Sequence, residues 1–225
     1  MTATRTESAT PPARGRGRPA NTSTGDTVAT LLVAARRQFA AHGYAATSNR
    51  TVADAAGLAH TGIYNHFGSK AQLFTAVFVD VQDRLVAELE RSAHRAPGEA
   101  AFPWALLDAI EALRAADPTY VEFLASMYVE VRRHPELRAV FQGGEPFPVV
   151  DTLRRLAAGP GAAAEVADVD DPTWFWITFA LGLAQLSALA DPASFAATVE
   201  MFRRQFTDGR VVAPEGARRS GDGGS

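Results

Sequence analysis

The chain has 225 residues, 47% of them hydrophobic, and no cysteine. That is ample apolar material for a packed core, and it excludes disulfide scaffolds, thiolate zinc sites and cysteine nucleophiles. The formal charge of −3 hides an asymmetry: residues 1–70 hold eight basic side chains against three acidic ones, a net +5, so the remainder carries −8. A basic front suits a polyanionic partner and an acidic back repels one.

Residues 1–25 are rich in Thr, Ser, Pro, Gly and Arg without an apolar period, which predicts a disordered basic arm and no signal peptide. Val28, Leu31, Leu32, Ala35 and Phe39 then recur at helical spacing. Gly43, the residue best suited to a left-handed backbone, marks that helix's end. Thr47 or Ser48 can cap a second, short helix ending near Ala56, and Gly57 supplies a tight turn before a third that runs through Phe67. Ser69 caps a long fourth helix with the stripe Leu73, Phe74, Val77, Phe78, Val81, Leu85 and Leu89, a length that suits a connector between domains.

Asp-Pro occurs at 117–118, 171–172 and 191–192, and each pair predicts a helix start, with a capping carboxylate before a proline at the first helical position. Trp174 to Leu189 is apolar on nearly every side. It is broken by Gln185 and Ser187, so it is not a membrane span. The following helix carries the narrower stripe Phe195, Val199, Phe202 and Phe206. A helix greasy all round needs cover on every face, and a second copy of the chain can supply it, so a homodimer is expected. Residues 211–225 are predicted to be a disordered tail.

The stretch from Thr47 to Lys70 carries the strongest functional signal. Val52, Ala53, Ala56, Leu58 and Ile63 can form the small core of a helix-turn-helix, with Ala53 allowing close approach and Gly57 turning the chain. Left outside that core are Thr47, Ser48, Arg50, His60, Thr61, Gly62, Tyr64, Asn65, His66 and Lys70, an expected exposed surface of hydrogen-bond donors. The two histidines lie too far from other ligand types for a metal site, and none is expected.

In this region the sequence resembles the tetracycline-repressor (TetR) family. The likeness covers about residues 27–74 through Ala34, Ala35, Phe39, Gly43-Tyr44, Val52-Ala53, Ala56-Gly57-Leu58, Ile63-Tyr64-Asn65-His66-Phe67 and Ser69-Lys70 with Leu73. The resemblance implies that the helix from about His60 to Phe67 enters the major groove, with His60, Thr61, Gly62 and Asn65 facing base edges or nearby phosphates. It implies a base or phosphate contact for Arg50, whose guanidinium can donate two parallel hydrogen bonds to guanine. Thr47, Ser48, Tyr64, His66 and Lys70 would grip phosphate oxygens. The sequence departs from the family pattern at Ala59, where Ser or Thr is frequent, at Asn49, where an apolar residue is common, and in the order Thr61-Gly62.

Arg16-Gly17-Arg18-Pro19 in the arm resembles the core of the AT-hook motif, which would place Arg16 and Arg18 in a minor groove. The expected architecture is all-α. An arm (1–25) precedes a three-helix DNA-binding domain (26–70), a helical ligand-binding and dimerisation domain (71–210) and the tail. The family resemblance implies a small-molecule effector lodged between helices of the second domain, and Trp104, Phe123, Met127, Tyr128, Phe141, Trp174 and Trp176 are the aromatic and sulfur-bearing candidates for its lining. No Gly-x-Ser-x-Gly, His-Glu-x-x-His or complete P-loop occurs, so neither an enzyme nor a cofactor is expected. The expectation is a cytoplasmic, dimeric repressor of a pseudo-palindromic operator in double-stranded DNA, with a ligand-independent activator or architectural protein as the alternative.

Overall fold

A computed structural model describes residues 24–59, 61–95, 101–142, 148–158 and 173–207. Ten α-helices follow in chain order: α1 (Thr24–Ala46), α2 (Asn49–Ala56), α3 (Thr61–Phe67), α4 (Lys70–Ala93), α5 (Ala101–Ala116), α6 (Thr119–Arg133), α7 (Pro135–Gln142), α8 (Pro148–Ala158), α9 (Thr173–Leu189) and α10 (Pro192–Thr207). No strand occurs among the described residues, and none of these helices is long and apolar enough to cross a membrane.

The first three helices form a small head around Leu31, Ala35, Phe39, Val52, Ala53 and Ile63, all buried. Regular α1 stops at Gly43, as the sequence suggests, but the backbone there has φ 75° and ψ 173°. That is an extended positive-φ conformation open essentially to glycine alone, not the left-handed helical one. Ser48, the second of the two candidates, caps α2: its Oγ accepts from Thr51 N at 3.1 Å, while Ser48 N donates to Thr51 Oγ1 at 3.0 Å. The two orphan N–H donors at this helix start are thus each satisfied by the other residue's side-chain oxygen. Gly57 ends α2 in the left-handed conformation, φ 66°. Leu58 N donates to the Ala53 carbonyl and Gly57 N to that of Asp54, the paired bonds that close a helix and turn the chain.

Ser69 Oγ accepts from Gln72 N at 3.1 Å and starts α4, whose expected stripe from Leu73 to Leu89 is buried throughout. This helix runs from the head into the body, packing on α1 at one end and on α5 and α8 beyond. Asp117 accepts from Thr119 N at 3.0 Å and opens α6, and Asp191 accepts from Ala193 N and Ser194 N and opens α10. The Asp171-Pro172 pair lies outside the described residues. Phe195, Val199 and Phe206 of α10 are buried and Phe202 is half-buried, in edge-to-face contact with the α9 ring of Phe179.

Head and body share one core. Phe39 of α1, Phe74 of α4 and Phe123 of α6 stand in line with ring centroids 5.0 Å apart at each step, separations typical of favourable edge-to-face and tilted pairs.

Candidate functional site

On α3, Ile63 faces the head core and is fully buried, with Phe67 packed one turn on. The 3.6-residue period therefore turns Thr61, Tyr64 and Asn65 outward, and all three are exposed; Tyr64 shows 61% of its surface. Gly62 and His66 flank that face. At the start of α2, Ser48 is exposed and the Arg50 side chain is 78% exposed, its Nε 3.8 Å from Asp54 Oδ2. An exposed pair at that distance restrains the guanidinium little. His60 and the arm residues Arg16 and Arg18 lie outside the described residues. The structure thus brings together Ser48, Arg50, Thr61, Gly62, Tyr64, Asn65 and His66 on two successive short helices.

Thr47 and Lys70 are placed differently from the sequence expectation of an exposed surface. Thr47 is only 2% exposed, and its hydroxyl lies 2.8 Å from the Gly43 carbonyl and 3.1 Å from that of Gln38. Lys70 Nζ donates to the carbonyls of Tyr44 at 2.9 Å and Thr47 at 3.0 Å, and sits 4.2 Å from the centre of the Tyr44 ring. The physical reason is the break at Gly43, since the carbonyls at the end of a helix need donors from outside it.

These residues belong to a joint between head and body. The Tyr44 ring lies 4.9 Å from the ring of His134. His134 in turn has its Nε2 3.2 Å from Glu130 Oε2 and its Nδ1 3.9 Å from Glu136 Oε1. Burial, the Glu136 charge and a hydrogen bond to Glu136 push the Tyr44 hydroxyl up to about 12. Burial lowers the Lys70 ammonium from its usual value, against the opposing pull of Glu136 and Glu130.

A second pin stands at the start of α6. Arg36 is 2% exposed; its Nη2 donates to Asp117 Oδ2 at 2.9 Å and its Nε to Thr119 Oγ1 at 2.9 Å, with the guanidinium 3.5 Å from the Tyr120 ring centre. Arg37 Nη2 reaches the same Asp117 oxygen at 3.0 Å. Burial alone raises the Asp117 carboxyl, but hydrogen bonds from Thr119 and Arg37 and the charge of Arg36 outweigh it and hold the group down at about 2. Neither pin was foreseen from the sequence.

In the body, a cavity of about 50 Å³ lies between α4, α5, α6, α8 and α9. Two of the seven lining candidates, Met127 and Tyr128, do border it. Three do not, because their rings are already engaged. Phe123 packs on Phe74, Trp176 is enclosed by Phe102, Phe175, Phe179 and Phe206, and Trp104 lies under the Arg203 guanidinium, 5.3 Å from ring centre to Cζ. The side chains of Phe141 and Trp174 lie outside the described residues. The residue that sequence reasoning missed is Gln82, 1% exposed on the cavity wall. Its signal was available, since Gln82 interrupts the apolar series Phe78, Leu85, Leu89 at a core-facing position.

A three-helix head presenting an outward polar helix, carried on an all-helical body, defines a DNA-binding transcriptional regulator of the helix-turn-helix class. Residues 31–77 match the family model of bacterial regulatory proteins of the tetR family. The fold is shared along most of the chain with solved structures of low identity. The fatty acid degradation regulator FadR from Bacillus halodurans is 17% identical, with a TM-score of 0.58 over 85% of this chain and 96% of that one. A TetR-family transcriptional regulator (HI0893) from Haemophilus influenzae RD is 19% identical, with a TM-score of 0.55 over 83% and 98%. Salmonella enterica GusR is 22% identical, with a TM-score of 0.54 over 81% and 95%. No curated protein matches the sequence significantly.

Proposed function

We propose that this regulator is a cytoplasmic, homodimeric repressor that leaves its operator when a small molecule enters the cavity between α4, α5, α6, α8 and α9. One observation carries the reading: the two helices that hold the head also wall the cavity. Helix α4 meets the head through Lys70 and Phe74 and the cavity through Phe78, Gln82 and Leu85; α6 meets the head through Thr119 and Glu130 and the cavity through Leu124, Met127 and Tyr128. A molecule that parts these helices in the body must move them at the head.

In this reading the head spans residues 26–70 and the body 71–210. Arg50, Thr61, Gly62 and Asn65 face base edges, with His60 beside them, and Ser48, Tyr64 and His66 hold phosphates. Thr47 and Lys70 act one step back, by fixing the end of α1. Arg16 and Arg18 follow the minor groove. The dimer face is the outer side of α9 and α10. There Phe175, Gly182 and Leu189 recur seven residues apart and are exposed, as is Met201, and a Cβ built on Gly182 meets nothing. Such a strip admits a helix from a second copy.

The test is selection of bound sequences from a random duplex library by the full chain, followed by titration of the selected site with and without residues 1–25. Recovery of an inverted repeat, with weaker binding after truncation, is expected. Enrichment of no sequence would sink the operator reading, and equal affinity of the truncated protein would remove the arm from it.

A further inference from the structure

The cavity wall is almost wholly hydrocarbon: Phe78, Leu85, Leu106, Ile110, Ile177 and their neighbours, with no acidic or basic side chain among the lining residues. Two polar groups interrupt it, Gln82 and Tyr128. Burial raises the Tyr128 hydroxyl above its usual range, so this group is neutral at physiological pH. A charged ligand would leave water for a wall offering no countercharge, a desolvation cost that ordinary contacts do not recover. The wall therefore selects against carboxylates, phosphates and ammonium groups.

Gln82 sets the second requirement. Its Oε1 accepts from Val149 N at 3.4 Å, in the first turn of α8. That donor fixes the amide's orientation, since the oxygen and not the nitrogen must face an N–H. The Nε2 group then points its two protons elsewhere, and it donates to no group among the described residues. A buried primary amide with unused donors, set in hydrocarbon, calls for an acceptor from outside the chain.

We infer that the effector is an uncharged, mainly hydrocarbon molecule carrying one hydrogen-bond acceptor, such as a ketone, ester or amide carbonyl, which accepts from Gln82 Nε2. At about 50 Å³ the cavity is smaller than such a molecule, so binding must part the helices that line it, as release from the operator requires. Because Gln82 also holds the start of α8, a bound carbonyl engages the same side chain that ties α4 to α8. The inference rests on reading this cavity as the effector seat.

Four probes of similar length, titrated by calorimetry into the full chain, test it: 2-nonanone, nonane, octanoate and octylammonium. The ketone is expected to bind about tenfold more tightly than the alkane, as one well-made hydrogen bond gives, and at least a hundredfold more tightly than either ion. Gln82→Leu should bring ketone and alkane to equal affinity, and Tyr128→Phe should leave the ketone's advantage in place. Octanoate or octylammonium binding as tightly as the ketone would overturn the inference, as would failure of all four probes to bind or a ketone preference that survives Gln82→Leu. The probe series on the unaltered chain decides the matter even if Gln82→Leu folds poorly. Ketone binding that leaves DNA affinity unchanged would support this ligand class while counting against release from the operator.

Discussion

Lys70 Nζ stands 2.9 Å from the carbonyl oxygen of Tyr44, a residue 26 positions earlier in the chain, and with a second bond to Thr47 it closes the end of α1. A cation so placed makes charge-assisted hydrogen bonds to carbonyls that have few other donors. Lys70→Met should therefore cost about 1–3 kcal/mol of folding stability, measured by urea unfolding. The salt dependence of DNA affinity should change little, because the ammonium is turned toward the protein. A salt slope lower by about one per subunit would instead make Lys70 a direct phosphate contact.

Gly43 is constrained twice. Its φ of 75° with ψ of 173° is costly for any residue with a Cβ, and a Cβ built there comes within 2.7 Å of Glu130 Oε1. Gly43→Ala should destabilise by about 1–3 kcal/mol from the backbone alone, with a further increment from the contact. Adding Glu130→Ala should recover the increment and leave the backbone cost, a coupling read from a double-mutant cycle by denaturant titration. Strict additivity of the two changes would show that the contact carries no energy.

Asp117 gives the fold a specific acid sensitivity. Its carboxyl is depressed from 3.8 to about 2 by the native surroundings. The stabilisation, about 2 kcal/mol, is therefore fully present above about pH 4 and is lost as pH falls toward 2. Asp117→Asn leaves the buried Arg36 guanidinium with only the more distant Asp80 carboxylate, 3.8 Å away, and should cost about 3 kcal/mol at pH 7. Measured by denaturant unfolding at several pH values, the gap between the native chain and the variant should narrow between pH 4 and pH 2. A gap independent of pH would mean that the carboxylate's charge is not what stabilises the joint.

Arg50 is the most sharply testable of the outward residues. Arg50→Ala should weaken binding to the selected operator by about 1–3 kcal/mol and relax preference at one base position, read by titrating a panel of single-base variants. Uniform weakening across the panel would assign it to a phosphate instead.

Phe175 and Leu189 lie fourteen residues apart on the open side of α9. Introducing Phe175→Glu with Leu189→Glu should convert the proposed dimer to monomer in sedimentation equilibrium at micromolar concentration, because like charges would be buried across the proposed interface. A dimer that survives both changes would have to use another face.

The local features were readable from sequence because their causes are local. Ser48 and Ser69 cap helices within three residues of themselves, and the stripe from Leu73 to Leu89 follows from one helical period. Lys70 was not readable in the same way, because its direction is decided by the carbonyls of Tyr44 and Thr47, left open where α1 breaks at Gly43. The ring-rich candidates Phe123 and Trp176 show the same limit. Periodicity states that a residue is inside but not which neighbour fills the space beside it, and rings from α4 and α10 already do. Gln82 was legible in principle, since an uncharged amide in an apolar register needs a reason to be there.

Helix α6 places Met127 on the cavity and Glu130, less than one turn further on, against the head at Gly43. Over so short a span an α-helix is a stiff strut. A shift of Met127 therefore reaches the head as a displacement of nearly the same size, with no hinge loop to absorb it. The reach of such a signal is set by packing geometry and not by the strength of any one bond, so an effector that fills the cavity without moving α6 would bind and leave the operator occupied.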